Sequence, residues 1–95
     1  MWKNLYESGS IGSEGGIVLA DEEYKGACRI TLEKCEKYCA VTCGVYGAMV
    51  HTAFADFDCG QRKYNEMKQE LQRFIDTDTT LNEELEFYSE FTNKF

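Results

Sequence analysis

Five cysteines and a single histidine are the residues best equipped for chemistry. Cys35, Cys39 and Cys43 follow a C-x3-C-x3-C spacing. On a helix they would line one face. In strands, Cys39 and Cys43 point into the core while Cys35 falls in a turn, so the three do not converge. Structural zinc usually takes closer pairs. Cys28 is expected opposite Cys43, near enough in principle for a disulfide, but buried free cysteine behaves as a small hydrophobe. Any imidazole catalysis must use His51. It is expected on the sheet face opposite Cys39 and Cys43, so no Cys–His couple forms, and no G-x-S-x-G elbow is present. The run Gly9–Gly16, GSIGSEGG, lacks the Lys-Ser/Thr ending of a phosphate loop. Asp21, Glu22 and Glu23 read as a solvated acidic run, and Asp56 and Asp58 as residues at a helix start. No catalytic, cofactor-binding or metal-binding set emerges, and a non-enzymatic protein is expected.

The elements that position these residues follow from periodicity. Residues 16–23 form a strand built on Ile17, Val18 and Leu19, with the three acids at its end, and Tyr24-Lys25-Gly26 is a turn signal. Residues 27–34 alternate, with Cys28, Ile30 and Leu32 against Arg29, Thr31 and Glu33. Residues 38–55, YCAVTCGVYGAMVHTAFA, read as two strands folded at Gly44–Gly47. An even loop puts Cys39, Val41, Cys43 and Val45 on one face with Ala48, Val50, Thr52 and Phe54; an odd loop would split that apolar set. Pairing Leu32 with Cys39 leaves Cys35-Glu36 as the preceding turn, with Lys34 opposite Lys37.

Two helices complete the chain. Asp58 with Gln61 is a candidate capping box for the first. Its stripe is Tyr64, Met67, Leu71, Phe74 and Ile75, and it ends near Asp76. Thr80 with Glu83 caps the second, where Leu81, Leu85, Tyr88 and Phe95 form a stripe widened by Phe87 and Phe91. The fold class is therefore α+β, a four-stranded antiparallel β-meander followed by two C-terminal helices packed on the sheet. The 95 residues make a single domain, with residues 1–15 as an N-terminal arm resting on Trp2, Leu5 and Tyr6.

Composition narrows the function. A net charge of −7 excludes a nucleic-acid partner, which needs clustered Lys and Arg. No apolar run follows the Met-Trp-Lys start, and none approaches the ~20 residues of a membrane span, so the expectation is a cytoplasmic protein with free thiols, no membrane partner and no cofactor. The outer sheet face is the informative surface. Its expected floor is Thr31, Ala40, Thr42, Gly44, His51 and Ala53, walled by Tyr38, Tyr46 and Met49. Small residues beneath aromatic walls suit coverage, by the arm, the second helix, another copy or a foreign protein. The leading expectation is a small acidic protein-binding module, of which an antidote (immunity-type protein) to a basic partner is one form. A homodimer would use the same face. Arg29, Tyr38, Thr42, Met49, His51, Phe87 and Phe91 are the expected contact residues. The alternative is a small-ligand or regulatory domain with a pocket near Arg29, Thr42 and His51.

Overall fold

The computed structural model describes Met1–Phe95. A meander forms the first half of the chain: β1 (Trp2–Asn4), β2 (Ile17–Tyr24), β3 (Cys28–Lys34), β4 (Cys39–Val45) and β5 (Met49–Ala55). Every neighbouring pair is antiparallel and the spatial order is the chain order. The helices follow, α1 (Gly60–Asp76) and α2 (Leu81–Lys94). The class is α+β as expected, with five strands instead of four. The extra strand comes from the arm: Trp2 pairs with Tyr24 in register, and its ring stacks on Tyr24 at 5.0 Å between centroids.

The inward faces of β3 and β4 are those that alternation dictates. Cys28, Ile30 and Leu32 join Cys39, Val41, Cys43 and Val45 beneath the α1 residues Tyr64, Met67 and Leu71. Each large apolar side chain buried there contributes about 1.5–3 kcal/mol. The β3–β4 register differs by two residues from the expected one. Lys34 pairs with Cys39, so the loop is Cys35–Tyr38 and Lys34 no longer faces Lys37. A two-residue shift preserves the faces. It also places Cys28 opposite Val45, not Cys43, and all five cysteines are free.

The β4–β5 hairpin departs further. Its loop is the odd one, Tyr46-Gly47-Ala48, closed by Val45 opposite Met49. The Ala48 amide donates to the Val45 carbonyl at 2.9 Å, and Gly47 has φ 76°. A turn with positive φ only at its third residue suits Gly47 and asks nothing unusual of Tyr46. The odd count reverses β5. Met49, His51 and Ala53 turn toward the helices, while Val50 and Phe54 face out, 81% and 56% exposed. Splitting the apolar set, the ground for preferring an even loop, is what the chain does.

In β2 the acids are not at a solvated tip. Asp21 is only 7% exposed, and Glu22 accepts from Tyr64 (2.6 Å) and Lys68 (2.8 Å) on α1. A tight turn follows, with Lys25 and Gly26 both at positive φ and the Ala27 amide donating to the Tyr24 carbonyl. Helix α1 has no side-chain cap: Cys59 holds the N-cap position, and the Asp56 carbonyl, not the Asp58 side chain, accepts from the Cys59 and Gly60 amides. Helix α2 carries the expected capping box, with Thr80 and Glu83 bonding each other's backbone. Its buried residue is Phe91, and Phe87 stacks on Phe74 of α1 at 4.1 Å, leaving Leu81 and Leu85 exposed.

Candidate functional site

The outer face of the sheet is partly roofed by the loop between β1 and β2. That loop folds back because its backbone bonds to β2: Ile11 bridges Ile17, and the Val18 amide donates to the Ser10 carbonyl at 3.0 Å. A side chain from β3 fastens it. Glu33 lies on the outer face, where alternation puts it, yet it is 1% exposed. Its carboxylate accepts the Gly16 amide at 2.8 Å and the Glu14 amide at 3.2 Å. The absence of a side chain at Gly12 makes this possible, since a Cβ there would lie 2.5 Å from the Glu33 carboxyl carbon. Glycine in this stretch therefore serves close approach to a carboxylate, not phosphate binding.

Beside the loop lies a groove of about 880 Å³. Its floor is Arg29, Thr31, Thr42 and Gly44, all from the outward positions of β3 and β4. Leu5, Ile11 and Ser13 of the loop form one wall, and the hairpin from Tyr46 to Val50 forms the other. Arg29 Nε donates to Asp21 Oδ1 at 2.9 Å, and its Nη2 donates to Oδ2. Hydrogen bonding to Asp21 raises the guanidinium pKa, and Thr31 Oγ1 donates to the same carboxylate at 3.1 Å. The pair is internally neutral and ties Arg29 of β3 to Asp21 of β2. Thr42 and Thr52 share a hydrogen bond at 3.1 Å, with Ser13 Oγ 3.5 Å from Thr42. Tyr46 donates to Glu23 at 2.6 Å, which lifts its own pKa, with burial adding to the rise.

The seven expected contact residues are divided among three places. Arg29 and Thr42 share the groove floor. Tyr38 stands in the β3–β4 loop, edge-on to Phe54 at 5.4 Å. Met49 and His51 are on the helix side, not the outer face, because the three-residue turn reversed their strand. Ala53, an expected floor residue, turns inward with them. His51 lies edge-on to Phe91 at 6.2 Å, and its Nε2 is buried with no hydrogen-bond partner. Phe87 and Phe91 belong to the aromatic stack joining α1, α2 and β5. The pocket expected at Arg29, Thr42 and His51 thus loses its histidine.

Asp21, Glu33, Val50 and Phe54 are the residues that sequence reasoning missed. The Asp21–Arg29 pair had a signal, opposite charges on adjacent strands of one hairpin. Glu33 had none, since its partners are backbone amides of a distant loop. Chemistry at the two core thiols Cys28 and Cys43 is disfavoured: burial pushes Cys28 up to about 11 and Cys43 up to about 12. Nowhere do three His, Cys, Asp or Glu side chains gather to hold a metal. No helix is long and apolar enough to cross a membrane. Compared with known proteins, the chain matches no family model, no curated protein and no solved structure.

Proposed function

We propose that this chain is a non-enzymatic protein-binding module that receives a basic partner segment on the outer face of its sheet. The observation that carries this reading is the groove: an open recess with apolar walls from Leu5, Ile11 and Val50 and the exposed acid Glu7 in its lining. Arg29 is the sole cation lining it, and Asp21 already holds that charge. An anion therefore gains little there, whereas a Lys or Arg on an apolar segment meets Glu7 within a chain of net charge −7. An antidote protein neutralising a basic target is one form of this activity. Five unpaired thiols suit a reducing compartment, hence the cytoplasm.

The test is a titration followed by amide chemical shifts, using two extended peptides of the same apolar residues, one carrying lysines and the other glutamates. The basic peptide should shift Leu5–Ser13 and Thr42–Val50, weaken with Glu7→Lys, and be blocked by Thr42→Phe on the floor. Equal response to the acidic peptide, or shifts confined to the helices, would sink the reading. The groove volume also falls in the range of ~300–1,000 Å³ typical of small-molecule sites, which supports a ligand-binding domain as second reading. Thermal stabilisation by an uncharged small ligand, abolished by Thr42→Phe, would favour it.

A further inference from the structure

The two edges of the sheet are built differently. At one edge β1 is three residues long and carries Lys3. Shortness and an edge lysine are common guards against pairing with another chain. At the other edge β5 runs for seven residues, MVHTAFA, with no Lys, Arg, Asp or Glu, no proline and an unbroken register against β4. None of the usual guards is present.

The backbone of β5 also points the right way. The Tyr46 amide donates to Ala27 and the Cys35 amide to Tyr38, so the even-numbered residues of β4 direct their N–H and C=O groups toward β3. Direction alternates along a strand. The odd-numbered residues of β4 therefore bond to β5, through Met49, His51, Ala53 and Ala55. Val50, Thr52 and Phe54 are left with their amides and carbonyls aimed outward at the free edge. Two of these three also carry the exposed apolar side chains of the strand.

We propose that β5 pairs antiparallel with β5 of a second copy, about a two-fold axis at Thr52. The occupant is a second copy because the strand is complementary to itself in this register. Val50 faces Phe54 of the other copy, Met49 faces Ala55, and His51 faces Ala53, a larger residue opposite a smaller one each time. The three outward-pointing residues meet one another, giving about six backbone hydrogen bonds. The acids that follow the strand do not collide: Asp56 falls opposite Ala48 and Asp58 opposite Tyr46. The result is one continuous sheet with a groove on each half. A two-fold of this kind makes one patch serve both copies. Thr52 does not line the groove, although Val50 does, so the pairing is judged by mass in solution and not by peptide binding to the groove.

The experiment uses the full chain. Mass in solution is measured by light scattering across micromolar to millimolar loading, for the wild type and for T52K, T52E and V50P. Because residue 52 opposes itself, T52K and T52E each place like charges on the axis and should weaken the dimer by about fivefold or more, while an equimolar mixture should recombine. V50P removes an outward amide and no internal hydrogen bond, so it should fold and be monomeric even if the Thr52 variants misfold. Amide spectra verify folding of each variant. A wild type that stays monomeric throughout overturns the proposal, as does a dimer indifferent to T52K, T52E and V50P. Dissociation by T52K and T52E without recombination on mixing overturns the two-fold at Thr52.

Discussion

Glu33 offers the sharpest test of how the outer face is assembled. Its carboxylate is buried and accepts two amides from the β1–β2 loop, one of them the buried Gly16 amide. In Glu33→Ala, the Gly16 amide loses its acceptor, at about 1–3 kcal/mol for an unsatisfied buried donor. The exposed Glu14 amide turns to water at little cost. Removing the carboxylate also removes its desolvation penalty, so the net loss of global stability should sit near the lower end, about 1–2 kcal/mol. The local effect should be larger than the global one, because Glu33 is the side chain that ties Glu14 and Gly16 of the loop to β3. Hydrogen exchange read at single amides is the assay. Gly16 and Val18 should exchange at least tenfold faster, matching ~1.4 kcal/mol of local opening, while Ile30 and Val41 change only with global stability. Gly12→Ala should reproduce the pattern by a different route, since its Cβ would strike the Glu33 carboxyl group at 2.5 Å. If both variants leave Gly16 and Val18 as protected as in the wild type, Glu33 does not fasten the loop, and the wall of the groove has another origin.

Two further outcomes are expected. Leu71→Ala, at a fully buried site beneath the sheet, should cost about 2–5 kcal/mol by denaturant unfolding, and a loss below ~0.5 kcal/mol would contradict the packing of α1 on β3 and β4. In acid, burial pushes Glu22 up, but hydrogen bonds from Lys68 and Tyr64 outweigh it and hold the carboxyl below its usual 4.5, while hydrogen bonds from Lys25 and Tyr24 hold Asp76 below 3.8. Both folded pKa values are depressed, so their stabilisation is present above those ordinary values and is lost as pH falls through the folded ones. Lys68→Met should therefore shrink the loss of stability on acidification, and an acid limb identical to wild type would refute the Glu22 assignment.

Local periodicity alone determined the inward residues of β3 and β4, the stripe of α1 and the capping box of α2. Each rests on interactions within a strand, a helical turn or a neighbouring pair. A two-residue error in the β3–β4 register did no harm to the faces, because side-chain direction repeats every two residues. The β4–β5 turn shows the opposite case. One residue more or less in the loop reverses seven, and the apolar count favours an even loop only if Val50 and Phe54 need burial, which they do not. The odd loop puts His51 under Phe91 and Val50 on the free edge. Glu33 is the other lesson: its place on the outer face was legible, but its burial was not, since the amides that donate to it lie 17 and 19 residues away. Alternation assigns a side chain to a face; only the path of the rest of the chain decides whether that face is dry.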